Sequence, residues 1–209
     1  MKKETCNNIR MRKMYKYCFK RIFDLIGSLI LLPIVGVTFL IVGPLIYMED
    51  HGTILYKAKR RGLNGKVFEM YKFRTMKMNA PDIRNEDGST YNGKDDPRVT
   101  RIGKILRELS IDEIPQILNV FKGDMSFIGP RPNNVRKTYK ELEKKKKKRL
   151  KVRPGITGYN QAFYRNSVSS EKKLENDCYY VDHISLWLDL KIIVQTVKSV
   201  LARKNIYNN

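Results

Sequence analysis

The sequence predicts a mainly α protein with minor β. In this α+β fold, a re-entrant membrane helix-break-helix joins a compact cytoplasmic domain with interfacial amphipathic helices. Three observations lead there. Residues 22–48 form an apolar run that holds a single charge, Asp24, and has Pro33 near its middle. Residues 66–76 alternate apolar and polar side chains, the period of a strand. Apolar residues recur at helical spacing through 101–123 and again near the C-terminus.

The membrane segment comes first. Its 27 residues, IFDLIGSLILLPIVGVTFLIVGPLIYM, exceed the roughly 20 needed to cross a bilayer. They are also too many for a signal-peptide core, and Tyr47-Met48-Glu49 is a poor cleavage site. Eight Lys/Arg precede the run within residues 1–21, which holds the N-terminus in the cytoplasm. Lys57, Lys59, Arg60 and Arg61 follow soon after, and a spanning helix would carry them to the wrong side. Pro33 removes a backbone hydrogen bond and clashes with the preceding turn, so a kink is expected there. A helix that enters and leaves by the same face satisfies both basic flanks. The alternative is a single-pass anchor with a tolerated proline.

From His51 onward the chain is polar. Residues 66–76, KVFEMYKFRTM, read as a strand or hairpin arm, and 79–98 as a long polar loop of the kind that often carries function. RIGKILREL and IPQILNVFKG have helical spacing, with Gly123 as a C-cap. The block 136–153, with Lys144 to Lys148, suits a solvated helix face or connector; the other role for its lysines is contact with anionic headgroups. At the end, Leu186, Trp187, Leu190, Ile193, Val194, Val197 and Leu201 share one helical face. Core packing is the default for that face, while the Trp and flanking lysines also suit an interfacial helix.

Charge narrows the partners. Lys and Arg total 42 against 21 acids, a formal net charge of +21. Such a field attracts polyanions: nucleic acid, an anionic membrane surface or phosphorylated substrates. Cys6, Cys18 and Cys178 have no paired spacing and point to reduced thiols. His51 and His183 lack neighbours at metal-ligand spacing, which excludes a zinc centre or a His-based triad. Any metal here is a hard cation on carboxylates and phosphates.

Within that basic chain, ELSIDEIPQILNV places Asp112 beside Glu113. Ser110-Ile-Asp-Glu113 matches a capping box, and acids suit the first turn of a helix. Pro115 would then sit as the fifth helical residue, so a helix starting at Pro115 is cleaner. Capping and phosphate chemistry are compatible at such a helix start, and spacing does not separate them. The neighbouring motifs add fixed cations. YKFRTM puts Lys72 and Arg74 two residues apart, on one face of an extended segment. DPRVTRIG holds Asp96 and Arg98 in a turn-like setting. GDMSFIGPRP braces Arg131 between prolines, and RPGITGYNQ is a further Arg-Pro-Gly turn.

Taken together, YKFRTM, DPRVTRIGKILRELSIDEIPQILNVFKGDMSFIGPRP, RPGITG and YYVDHISLWLDLKII resemble the bacterial sugar transferases, specifically the small monotopic polyprenol-phosphate phosphoglycosyl transferases in their minimal form. The resemblance covers roughly residues 15–200. It implies a cytoplasmic catalytic domain, here 51–209, joined to a basic N-terminus and re-entrant membrane helix, here 1–50. It implies transfer of a phospho-sugar from a UDP-sugar to a polyprenol (undecaprenyl) phosphate, with Mg2+, through a covalent aspartyl intermediate and release of UMP. By position, Asp112 matches the nucleophile and Glu113 its dyad partner, the two also serving the metal. Arg131 matches the phosphate-binding arginine, and Lys72 and Arg74 match the basic pair; Arg98 joins them as a phosphate-binding candidate. The family's kinking proline commonly follows Ser; here Leu32 precedes Pro33, and Ser28 is the nearest hydroxyl.

The location implied is the inner (cytoplasmic) membrane of a bacterium, monotopic, with the domain facing the cytoplasm. Anionic lipids, downstream glycosyltransferases of surface glycan assembly (lipopolysaccharide or capsule) and a second copy of the chain are the further partners implied. Nucleic acid is not among them. The competing reading is a non-catalytic, membrane-anchored adaptor that binds anionic lipid or nucleic acid. Such a module gains nothing from an acid pair among its cations.

Overall fold

The computed structural model describes residues 12, 14–83, 91, 93, 95–164 and 167–201, the side chains of 200 and 201 excepted. Most of the basic stretch before Met14, including Cys6, lies outside the described residues, as does much of the polar loop expected over 79–98.

A π-helical turn, Tyr15–Phe19, runs into α1, Lys20–Asp50. This helix is 31 residues long, with Pro33 and Pro44 inside it. The helix-break-helix of the expected fold is not seen as an interruption, because the helical run continues through Pro33. A proline withdraws one donor and can bend a helix without ending it. Ser28 does not serve the carbonyl that Pro33 orphans, which belongs to Leu29; its hydroxyl donates to Leu25 O at 2.9 Å. His51, in the left-handed region at φ 52°, closes the helix with its N–H on Tyr47 O.

One stripe of α1 is buried along the whole helix: Lys20, Asp24, Ser28, Val35, Val42, Gly43 and Ile46. Both ends are held by polar bonds to the same domain. At the first, Lys20 Nζ meets Asp189 Oδ2 at 2.5 Å, and Asp24 accepts from Ser126 Oγ and Phe127 N. At the second, Asp50 pairs with Arg74, and Glu49 accepts from the N–H groups of Arg101 and Ile102. The opposite side of α1 leaves Ile22, Phe23, Ile26, Ile30, Val37 and Leu40 exposed. The helix is long and apolar enough to cross a membrane.

β1, Leu55–Arg61, and β2, Val67–Phe73, form an antiparallel hairpin in register Leu55↔Phe73 to Arg61↔Val67. The strand expected within 66–76 is β2. β1 escapes a hydropathy reading because four of its seven residues, Lys57, Lys59, Arg60 and Arg61, are basic, and one of them, Arg61, is buried. α2, Arg101–Glu108, starts on Thr100, whose hydroxyl accepts from Gly103 N at 2.9 Å. A 3-10 turn, Ile111–Glu113, leads through Pro115 into α3, Gln116–Lys122. Gly123 ends α3 at φ 90°, the C-cap expected from the sequence.

β3, Ser126–Ile128, and β4, Asn133–Asn134, follow; β4 pairs with β1. α4, Lys144–Arg149, carries the lysine run, whose charges are partly matched: Lys148 pairs with Asp182, Lys146 with Glu143 and Arg149 with Asp177. β5, Gly155–Thr157, lies parallel to β3. α5, Tyr159–Phe163, α6, Ser170–His183, and α7, Leu186–Leu201, complete the fold.

The core has three parts: Ile128, Val152, Tyr180 and Ile192; Phe68, Met70, Val120 and Met125; and Val42, Ile46, Phe73 and Leu106. The last contains two α1 residues, so the long apolar helix is part of the domain's own packing. On α7 the default expectation of core packing is overturned. Leu186, Trp187, Leu190, Ile193, Val194 and Val197 all face outward, Trp187 at 68% exposure. Asp189, Ile192 and Ser199 face inward instead. The side chain of Leu201, the last residue of that face, lies outside the described residues.

Candidate active site

The β2 alternation builds the first part of the site. Phe68 and Met70 face the core, so Lys72 continues the same face just past its edge. Its ammonium lies 2.6 Å from Glu113 Oε1 and 3.2 Å from Asp112 Oδ2. One cation thus bridges the adjacent carboxylates. Asn119 of α3 fixes the two elements against each other: its amide donates to Glu69 O at 2.7 Å and accepts from Tyr71 N at 2.9 Å. A fully buried Asn in the apolar run ILNVF is the sequence signal for this clamp, and it is easily passed over.

The acid pair stands on the turn between α2 and α3. Ser110 is not the cap of a capping box: it lies in the left-handed region at φ 58° and its side chain caps nothing. That conformation strains a residue with a Cβ, and it opens the turn in which Asp112 is buried. Asp112 is buried, and Glu113 is half-buried. Burial raises the Asp112 pKa, Lys72 opposes that, and the Glu113 charge adds to the rise. Burial pushes Glu113 up as well, but the charges of Lys72 and Arg131 and hydrogen bonds from Lys72 and Gln116 outweigh it and hold Glu113 low. The two carboxyls are driven apart, as in sites where two acids take different roles.

Arg131 is a second cation that acts on Glu113. Its backbone is clamped on both sides: Gly155 N donates to Pro130 O at 3.0 Å, and Arg149 Nη2 donates to Arg131 O at 2.7 Å. The glycines permit this approach. A Cβ on Gly155 would lie 2.1 Å from Gly129 N, so GPRP and RPGITG pack backbone to backbone. Arg131 itself is exposed and makes no ion pair among the described residues.

Arg74 and Arg98 are not brought to the pair. Strand pairing ends at Phe73, so the two-residue period that would aim Arg74 alongside Lys72 no longer holds. Arg74 instead makes a bidentate pair with Asp50, at 2.5 Å on each oxygen, and donates to Thr53 O. Arg98 chelates Asp96 through Nε at 2.8 Å and Nη2 at 2.6 Å, and it binds the carbonyls of Pro81 and Tyr91. Both fasten backbone. Arg107, which the sequence reading did not single out, lies on the site side of α2 with Nε on Thr75 Oγ1 at 2.9 Å.

Among the described residues no group of three or more His, Cys, Asp and Glu is placed to hold a metal. The donor set is the all-oxygen pair Asp112 and Glu113. That fits a hard cation completed by phosphate oxygens and water, and it does not fit zinc.

Chemically, the arrangement is a buried carboxylate, a second carboxylate whose pKa is held low, and the cations Lys72, Arg107 and Arg131 acting on them. The model of the family described as bacterial sugar transferase matches residues 15–203. The uncharacterized sugar transferase EpsL of Bacillus subtilis is 43% identical over 188 residues, 90% of this chain and 89% of that protein. The galactosyl transferase CpsE of Streptococcus agalactiae is 40% identical over 200 residues, 90% of this chain and 44% of that protein. The UDP-N-acetylgalactosamine-undecaprenyl-phosphate N-acetylgalactosaminephosphotransferase of Aeromonas hydrophila is 36% identical over 193 residues, 89% of this chain and 44% of that protein. The chain thus spans nearly all of the Bacillus relative and less than half of the other two.

Proposed function

The chain belongs to the bacterial sugar transferase family, and from that premise we propose that it moves a phospho-sugar from a UDP-sugar to undecaprenyl phosphate through a covalent intermediate on Asp112. The acceptor follows the name of the Aeromonas relative. The observation that carries the chemistry is the Lys72 ammonium bridging Asp112 and Glu113.

In the first step an Asp112 oxygen attacks the phosphorus that bears the sugar. The bond from that phosphorus to the bridging oxygen breaks, and UMP leaves with the electron pair. An acyl phosphate is reactive enough to be displaced in turn. In the second step an oxygen of the lipid phosphate attacks the same phosphorus. The aspartyl–phosphorus bond breaks, Asp112 is restored, and the sugar is left on a lipid diphosphate.

An anionic nucleophile meets an anionic diphosphate here, so the electrostatic help must be pre-aimed. Lys72 and Arg131 supply it. Asp112 and Glu113 are the residues that would hold Mg2+, which when bound neutralises charge on the diphosphate. Glu113, the more readily ionised of the pair, is the better metal ligand.

The acceptor's phosphate sits at headgroup level, so the site must sit there too. Three features support a monotopic placement on the cytoplasmic face of the inner membrane. Both ends of α1 are bonded to one domain, α1 exposes an apolar face, and so does α7. A straight spanning helix would carry one end away from the domain. The product is the first lipid-linked unit of a surface glycan. Release of UMP from a panel of UDP-sugars, with and without undecaprenyl phosphate, tests the reading and identifies the sugar. No release from any donor would refute it.

A further inference from the structure

Beside the acid pair, α2 forms one wall of a cavity of about 300 Å³ whose lining includes Asp95, Asp96, Thr100, Arg101, Lys104 and Arg107. We propose that this cavity is the subsite for the nucleotide of the donor, with Arg101 and Lys104 on its phosphate and Asp95 on its ribose hydroxyls. The assignment rests on the UDP-sugar reading above and locates that substrate's nucleotide half.

The lining argues for it residue by residue. Arg101, Lys104 and Arg107 are three residues apart on an eight-residue helix, which sets neighbouring cations on one side. Arg101 and Lys104 are exposed and make no ion pair or side-chain hydrogen bond among the described residues. The acid Asp96 does not oppose them, because Arg98 occupies both its oxygens. The wall is fixed. Gly103 packs so closely that a Cβ would lie 2.1 Å from Thr75 O, and Thr75 also holds Arg107.

Asp95 is the feature that distinguishes a nucleotide from bare phosphate. It is exposed and unpaired among the described residues. A lone carboxylate in a cation-lined cavity repels phosphate, yet accepts hydrogen bonds from hydroxyls. A ligand carrying both phosphate and a diol satisfies the whole lining. Arg107 links the cavity to the reaction. It lines the cavity and stands in the last turn of α2, five residues before Asp112. A leaving nucleotide held there departs on the side of Asp112 where positive charge is fixed.

The test titrates the full chain in lipid nanodiscs with UMP and separately with inorganic phosphate, and compares Lys104→Glu, Arg101→Gln and Asp95→Ala with Lys146→Glu. Asp95, Arg101 and Lys104 are exposed and Lys146 is half-exposed, so none of the substitutions opens the core, and circular dichroism checks that each variant is folded. The expected result is a tenfold or greater loss of UMP affinity in Lys104→Glu and Arg101→Gln, with none in Lys146→Glu. Asp95→Ala should weaken UMP while leaving phosphate unchanged or tighter. In turnover, Lys104→Glu should raise the KM for the UDP-sugar with kcat little changed and the KM for undecaprenyl phosphate unmoved. A shift confined to the lipid KM would give the cavity to the acceptor and overturn the assignment, as would unaltered UMP binding in every variant. Should no UDP-sugar support transfer while UMP binding still falls as stated, the subsite stands and the transferase reading fails.

Discussion

Lys72 Nζ stands 2.6 Å from Glu113 Oε1, and the same ammonium reaches Asp112 at 3.2 Å. A single lysine therefore acts on the ionisation of both acids against the effect of burial, and its removal has a signed consequence. Lys72 favours the charged form of each carboxyl. The Lys72→Met variant should have both titrating at higher pH.

Because attack needs ionised Asp112, activity is lost as pH falls through its pKa. The acid limb of the Lys72→Met pH–rate profile should move to higher pH, and turnover at neutral pH should fall roughly 100-fold, the scale of one preorganised donor. An unmoved acid limb in a folded variant would take Lys72 out of the site.

Arg131→Ala should lower kcat/KM by about 2–4 kcal/mol in transition-state terms. Its backbone is held by Gly155 and Arg149, so the guanidinium is aimed at little entropic cost. Lys146→Ala should be near wild type, since among the described residues Lys146 pairs only with exposed Glu143. Steady-state kinetics of the two side by side decide it; equal, small effects would exclude Arg131.

Arg74 should behave as a structural arginine. Its hydrogen bonds hold the Asp50 pKa below the ordinary carboxylate value. That contribution is present above the unfolded-state pKa and is lost as pH falls through the depressed one. Arg74→Gln should cost roughly 2 kcal/mol, the scale of hydrogen bonds to a charged group, and flatten the acid side of a stability–pH curve. The KM for donor should hold in the folded fraction. Thermal unfolding across pH checks this, and a large KM effect at unchanged stability would return Arg74 to phosphate binding.

The proposed monotopic topology, supported by the two clamped ends of α1, is open to a direct test. In a cysteine-free background, single cysteines at Thr5 and at Tyr91 should both be labelled only from the cytoplasmic side. Labelling from opposite sides would contradict a monotopic chain.

The sequence made the acid pair, Lys72, Arg131, α3 and its Gly123 cap legible, because each depends on local chemistry: charge among opposite charge, a proline brace, an apolar period. What it hid depends on long-range partners. Arg74 and Lys72 look equivalent at spacing two, but only the distant Asp50 decides where Arg74 points. Pro33 looks like a break, yet the stripe from Lys20 to Ile46 packs against the domain and the helix continues. The α7 face looks like core by hydropathy, while the buried face is organised by Asp189, which accepts from Tyr15, Lys20 and Tyr180. Ser110 reads as a cap in sequence and is a strained reversal in space.

The central claim is that Asp112 carries the phospho-sugar. Asn preserves the size of Asp and caps a helix about as well, so Asp112→Asn separates catalysis from helix-start chemistry where Ala would confuse them. The most direct measurement is incubation of the wild-type protein with a UDP-sugar labelled in the sugar-proximal phosphate, in the absence of lipid acceptor. Label should become covalently attached at Asp112 with release of UMP, undecaprenyl phosphate added later should discharge it, and Asp112→Asn should neither label nor turn over. An Asp112→Asn variant with normal turnover, or transfer by the wild type with no labelled protein at any time, would contradict the account.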